Sequence, residues 1–197
     1  MKAYLASSEI IDWHAPSITG LATSLAHNTV DELEVAANCF TFVRDEIKHS
    51  WDYQLNPVTC KASDVLKHAT GYCYAKSHLL AALLRANNIP AGLCYQRLTV
   101  GDEPPFCLHG LNAVYLKQYG WYRADARGNK AGVNAEFCPP NEQLAYALGT
   151  PGEVDFPEIW AEPHPEVIKV LEGYSNYADV AANLPDIQVL PNVVRGY

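Results

Sequence analysis

GYCYAKSHLLAALLRANNIP, residues 71–90, is the most informative segment of the chain. From Cys73 to Ala86 it is rich in leucine and alanine and has few polar positions, which predicts a helix that is buried on most sides. Pro90 marks the end, because proline cannot continue a helix and the residue before it avoids the helical region. We therefore expect a long central helix that begins at Cys73.

Upstream of it, Thr29-Val30-Asp31-Glu32 predicts the start of another helix. The motif reads as a capping box, with Thr29 as the N-cap and Glu32 three residues later. Apolar residues then recur at steps of three and four, as in an amphipathic helix, at Leu33, Ala36, Ala37, Phe40, Val43 and Ile47. Residues 63–68 are expected to form a short helix or turn.

Downstream of Pro90 the pattern changes to strands. Residues 93–100, 108–116 and 121–125 fit strand patterns, and Gln118-Tyr119-Gly120 reads as the turn between the last two. We expect an antiparallel meander packed against the Cys73 helix, which is an α+β fold.

The two ends of the chain are harder to interpret. Residues 1–28 are mixed, and Pro16 and Gly20 are expected to break any long element there. Prolines interrupt the C-terminal third, where short helices are expected at 165–173 and 174–183. We expect one domain over residues 1–197, with a core at about 29–130 and C-terminal segments that wrap the core or cover the site.

Composition and charge exclude some functions. The 197 residues carry a formal net charge of −8 without a Lys/Arg cluster, which disfavours nucleic acids and anionic membrane surfaces as partners. No segment has the apolar run of a signal peptide or of a membrane span, so we expect a cytoplasmic protein. The six cysteines include no CxxC pair, and most are expected to be reduced and buried.

Three residues form a candidate catalytic set. Cys73 would lie at a helix N-terminus, where unpaired N–H groups and the helix dipole stabilise a thiolate and can bind an oxyanion. His109 opens one predicted strand and Asp125 closes the next, so antiparallel pairing would bring them together as base and orienting carboxylate. Taken singly, Cys73 also fits a packed thiol and Asp125 a turn residue.

The chain resembles the transglutaminase-like superfamily in three segments, FVRDEIKHSWD (42–52), KASDVLKHATGYCYAKSHLLAALLRANNIPAGL (61–93) and HGLNAVYLKQYGWYRADARG (109–128). The resemblance covers roughly residues 30–130. It implies a papain-like α+β fold with a catalytic triad of Cys73, His109 and Asp125.

Other positions depart from the family or permit alternatives. Many relatives have Trp where this chain has Leu111, which we expect to alter a wall near the site, and many have proline where it has Ala126. Arg127 could hold a substrate carboxylate, but we expect it to be solvated. Cys107 and His109 could form half of a zinc site, but no complementary pair stands nearby, so we expect no metal and no cofactor.

These features predict a cysteine-dependent hydrolase, a peptidase or amidase, that acts on peptide or protein amides through a thioester on Cys73. Amine acyl transfer, the transglutaminase reaction, shares the first half of that chemistry and is the alternative. The sequence has no DxDxDG calcium loop, which favours hydrolysis. A non-catalytic binding module that kept the fold is the third possibility. Substrate and oligomeric state are not predicted.

Overall fold

The computed structural model describes residues 1–101 and 103–187. Asp102 and residues 188–197, which the predicted domain includes, lie outside the described residues. The α-helices are α1 (Pro16–Leu25), α2 (Glu32–Glu46), α3 (Ser50–Tyr53), α4 (Ala62–His68), α5 (Cys73–Ala86), α6 (Pro165–Gly173) and α7 (Tyr177–Ala182). The strands are β1 (Lys48–His49), β2 (Thr70–Gly71), β3 (Ala91–Thr99), β4 (Phe106–Leu116), β5 (Gly120–Ala124), β6 (Glu136–Cys138), β7 (Asn141–Gln143) and β8 (Val154–Asp155). Within the described ranges, no helix is long and apolar enough to cross a membrane.

An antiparallel sheet with the order β5-β4-β3-β8 packs against α5. The predicted meander is confirmed as β3, β4 and β5, with strand ends shifted by one or two residues. Its register places Gln96 opposite His109 and Asn112 opposite Ala124. The fold is therefore α+β, as the sequence predicts.

The helix α5 forms the centre of the core, as its composition predicts. Leu79, Leu80, Leu83 and Leu84 have no exposed surface, and burial of each leucine contributes about 1.5–3 kcal/mol. The sheet approaches the start of α5 so closely that a Cβ at Gly110 would lie 2.9 Å from the Tyr74 ring. Glycine at this position thus permits the contact between β4 and the first turn of α5.

The N-terminal region contains a helix that the sequence prediction missed. Pro16 is at the start of α1, a position where its fixed φ and missing N–H are tolerated, so it begins the helix instead of breaking it. Gly20 lies inside α1 without ending it. Ile18 and Ala22 are buried in the same core as α5, so the core begins before residue 29.

The predicted cap of α2 is also wrong. Asp31 is the N-cap, and its Oδ1 accepts a hydrogen bond from the N–H of Leu33 at 3.1 Å. Thr29 Oγ1 instead accepts from the N–H of Asp31. Aspartate and threonine are both common N-cap residues. Here Asp31, which is nearer to the apolar repeat than Thr29, occupies the N-cap position.

The described C-terminal residues pack against the edge of the sheet and into the core. Trp160 exchanges two backbone hydrogen bonds with Leu93, at 2.7 and 2.9 Å, and β8 pairs with the edge of β3. The buried side chains of Val167, Leu171 and Val180 come from α6 and α7. The two short helices occur at the predicted places, the second being shorter than predicted.

Candidate active site

Cys73 is the first residue of α5 and follows Tyr72, whose backbone is extended. Its side chain borders a cleft of about 560 Å³ that His109 also lines. The Gly110 N–H donates to the Cys73 sulfur across 3.5 Å. The thiol thus faces a peptide N–H of β4 and the positive end of the α5 dipole, and both stabilise negative charge on sulfur.

His109 and Asp125 meet as the strand pairing predicts. The Nε2 atom of His109 lies 2.7 Å from Oδ2 of Asp125. Cys73 and His109 line the same cleft, and Cys73 contributes to the raised pKa of the imidazole. Because Nε2 is occupied by Asp125, Nδ1 is the ring nitrogen that remains for Cys73. Asp125 directly follows β5 instead of closing it. The structure therefore brings all three predicted residues together.

The electrostatics of the pair favour an imidazolium and a carboxylate. Burial alone would lower the pKa of His109, but Asp125 and Cys73 outweigh burial and raise it to about 10. Burial would raise the pKa of Asp125, but the His109 charge and three hydrogen bonds outweigh burial and lower it. At neutral pH, His109 is thus protonated and Asp125 ionised.

Two backbone N–H groups complete the surroundings of Asp125. Arg127 donates to Oδ1 and Ala145 to Oδ2, each at 3.1 Å. Tyr146 follows Ala145, and its ring meets that of His109 edge to face, with centroids 5.1 Å apart. The sequence prediction missed Ala145 and Tyr146, because they lie in a segment without periodic pattern.

Arg127 is buried, so the prediction of a solvated side chain is wrong. Its guanidinium donates two hydrogen bonds to Asp52, at 2.6 and 3.0 Å, and Lys130 adds a third at 2.7 Å. Burial would raise the pKa of Asp52, but these hydrogen bonds outweigh it and lower the pKa to about 2. The ion pair between Asp52 and Arg127 joins α3 to the segment that follows Asp125.

His49 is a second histidine that lines the cleft, and no sequence pattern predicted it. Parallel pairing of β1 with β2 places it opposite Gly71, close to the start of α5. Its ring packs edge to face on Tyr72. Burial and the charge of Arg127 hold the pKa of His49 well below its ordinary value, so this imidazole is neutral.

A family model of the transglutaminase-like superfamily matches residues 19–126, more than half of the chain. The chain belongs to the transglutaminase-like superfamily. The matched region contains Cys73, His109 and Asp125 and ends before Arg127, Ala145 and Tyr146. A search of curated proteins by sequence gives no match.

This transglutaminase-like chain is also similar to solved structures. One, from Cytophaga hutchinsonii, is of a protein proposed to be a cysteine protease; it has 20% identity and a TM-score of 0.49 over 63% of this chain and 40% of the other. The periplasmic domain of TgpA from Pseudomonas aeruginosa has 21% identity and a TM-score of 0.44, over 56% and 42%. A structure described as a TGase has 16% identity and a TM-score of 0.44, over 70% and 37%. The chain spans less than half the length of each.

Leu111, where many transglutaminase-like proteins have tryptophan, lies away from the cleft. It is fully buried with Cys94 and Ala113, so the expectation that it alters a cleft wall is wrong. The side chains of residues 109, 111 and 113 of β4 share one face of the sheet, and of these three only His109 lines the cleft. Apolar walls come instead from Tyr72, Tyr74, Leu98, Leu108, Val133 and Leu184.

The six cysteines of this transglutaminase-like protein are unpaired. Burial raises the pKa to about 12 for Cys39, Cys60, Cys94 and Cys107. Cys138 is exposed. In the described part of the chain, no group of three or more His, Cys, Asp or Glu side chains is arranged to hold a metal ion.

Proposed function

We propose that this protein is a cysteine-dependent amide hydrolase, a peptidase or amidase, that acts through a thioester on Cys73. One observation carries the proposal. The Cys73 sulfur, at a helix N-terminus, shares one cleft with an imidazole whose pKa it helps to raise, and Nε2 of that imidazole is 2.7 Å from a fully buried carboxylate. A nucleophile, a base and a group that orients the base are the parts that amide cleavage needs.

Acylation uses the ion pair of Cys73 and His109. The sulfur attacks the amide carbon, the S–C bond forms, and the electron pair of the C=O double bond moves to oxygen. Backbone N–H groups in the first turn of α5 stabilise that oxyanion. His109 gives its Nδ1 proton to the amide nitrogen, the C–N bond breaks, and the amine leaves.

Deacylation uses the neutral imidazole that remains. In the thioester, sulfur no longer carries negative charge, so one of the groups that raises the pKa of His109 is gone. Nδ1 can then take a proton from water while the oxygen attacks the thioester carbon. The C–S bond breaks, the acid leaves, and the proton on His109 restores the ion pair. Asp125 keeps the Nε2–H tautomer throughout.

Hydrolysis and amine transfer differ only in the acceptor. Hydrolysis needs no second substrate site, because water reaches the thioester through the same cleft. Amine transfer requires a bound amine to compete with that water. We therefore favour hydrolysis and keep amine transfer as an outcome of the test.

A peptide library tests the reaction. The protein is incubated with peptides of mixed sequence, with and without the primary amine cadaverine, and the products are identified by mass spectrometry. New peptide termini indicate a peptidase, and Gln or Asn converted to the acid indicates an amidase. Cys73→Ala is the negative control, and Cys138→Ala removes an exposed thiol as the matched control.

Incorporation of cadaverine as the main product would overturn hydrolysis in favour of transfer. Thiol reactivity provides a substrate-free test: the iodoacetamide labelling rate of Cys73 is compared with that of Cys138 at pH 6, in wild type and in His109→Ala. We expect faster labelling of Cys73, by about tenfold or more, and loss of that advantage in the variant. Equal labelling of both thiols and no library product would point to a binding module.

A further inference from the structure

We propose that Tyr146 is a positioning residue, whose ring holds the His109 imidazole in place and shields its hydrogen bond to Asp125 from water. The inference deepens the proposed function and rests on the proposed role of His109 in it. Tyr146 lies outside the segment that matches the family model, which ends at residue 126.

The first support is the geometry of the ring contact. The rings of Tyr146 and His109 are 5.1 Å apart at an interplanar angle of 88°, the edge-to-face arrangement that aromatic pairs prefer. The preceding residue, Ala145, donates its N–H to the same Asp125 oxygen that binds His109. Of these two consecutive residues, Ala145 thus contacts Asp125 and Tyr146 contacts His109.

The second support is that Tyr146 is itself fixed. Gln96, the cross-strand partner of His109, donates from Nε2 to the Tyr146 carbonyl at 3.5 Å. The Arg127 guanidinium lies 5.7 Å from the centre of the Tyr146 ring, within the range of a cation–π interaction. Contacts from β3 and from the chain after β5 therefore hold the ring against the imidazole.

The phenol is not an acid or a base in this arrangement. Burial raises the pKa of Tyr146 to about 12, with Arg127 opposing and nearby negative groups adding to the increase. The hydroxyl thus stays protonated, and the ring surface is the part that acts. Titratable and charged groups around His109 and Tyr146 include Cys73, Asp125, Arg127, Asp52 and His49. Lys76, whose pKa is lowered to about 7 by burial, also acts on Asp125 and His49.

Shielding matters because the hydrogen bond between His109 and Asp125 strengthens when water is excluded. With the ring removed, water would reach the bond, His109 would hold its proton less well, and the thiolate of Cys73 would lose its partner at a given pH. The expected consequence is that Cys73 needs a higher pH to react.

The experiment measures iodoacetamide labelling of Cys73 relative to Cys138 from pH 4 to 9 in the full chain, with mass spectrometric site identification. Tyr146→Ala removes the ring, and Tyr146→Phe keeps it without the hydroxyl. Tyr115→Ala is the matched control, since Tyr115 is also half-buried and also forms an edge-to-face pair, with Trp121. Thermal unfolding of each variant is recorded.

We expect Tyr146→Ala to reduce the relative labelling of Cys73 at pH 6 by about three- to tenfold and to move the rise of the profile to higher pH. Tyr146→Phe and Tyr115→Ala should keep the wild-type profile, whatever their unfolding temperatures. An unchanged profile in Tyr146→Ala overturns the proposal, as does a Tyr146→Phe variant that behaves like alanine. Since labelling needs no substrate, the result holds even if the peptide library yields no hydrolysis.

Discussion

The segment that matches the family model, residues 19–126, and the chain that follows it contribute differently to the site. The first supplies Cys73 from a long helix, His109 from a paired strand and Asp125 from the position directly after β5. The second, with strands of only two or three residues, supplies the Ala145 N–H and the Tyr146 ring. The three candidate catalytic residues thus lie in or next to regular elements, and less regular chain contributes contacts around His109 and Asp125.

The largest effect is expected in the first region. Cys73→Ala should lower the turnover of any amide substrate by about 10⁴-fold or more, because no other group replaces the attacking sulfur. Turnover and thermal unfolding are measured together, with Cys138→Ala as the control. Retained turnover in a folded Cys73→Ala protein would exclude the thioester mechanism.

Asp125→Asn tests the carboxylate that both regions contact. We expect turnover to fall by about 10²–10⁴-fold, because asparagine does not stabilise the imidazolium or fix the required tautomer. Asp125 contributes to the raised pKa of His109, and the pKa of Asp125 is itself lowered. The pair therefore stabilises the fold fully between about pH 4 and pH 6.5 and loses this effect as pH rises through about 10.

The variant should therefore be less stable than wild type by about 1–3 kcal/mol at pH 6, and the difference should shrink toward pH 10. Urea unfolding at both values measures it. A difference that does not change with pH would mean that the charge on His109 does not contribute.

Core truncations compare the packing of the two regions. Leu80→Ala in α5 removes a fully buried side chain and should cost about 2–5 kcal/mol of unfolding free energy. Ile168→Ala in α6 removes a partly buried one and should cost less than about 2 kcal/mol. Urea unfolding of both variants measures the two losses of unfolding free energy, which are then compared. An equal loss would show that α6 is packed as tightly as the central helix.

The ion pair between Asp52 and Arg127 links the two regions and should give the smallest effect. Because the pKa of Asp52 is lowered to about 2, its stabilisation is present above about pH 4 and is lost as pH falls through 2. Asp52→Asn should cost about 1–2 kcal/mol at pH 6 and progressively less below pH 4. Unfolding curves at pH 6, 4 and 3 test this, with the exposed Glu46→Gln as control. If Asp52→Asn lowers the unfolding free energy by the same amount at pH 3 as at pH 6, the loss comes from packing and not from the ion pair.

Local sequence patterns were sufficient to predict much of the fold. Leucine and alanine content with a terminal proline defined α5, and strand patterns defined β3, β4 and β5. A cysteine at a helix start, with a histidine and an aspartate near the facing ends of two antiparallel strands, then predicted which side chains meet. The errors at α1 and α2 were local too: Pro16 begins a helix, and Asp31 is a nearer cap than Thr29.

The surroundings of the proposed triad could be seen only in the tertiary structure. Arg127 is buried because it meets Asp52, which lies far away in sequence, and Asp125 binds the N–H of Ala145, a residue in irregular chain. Periodicity reports which face of an element is buried, not which distant groups will neutralise a charge or cover a ring. Sequence by itself determined the central helix, the three-stranded meander and the three candidate side chains, whereas packing between distant segments decided the charge states of those side chains and their exposure to water.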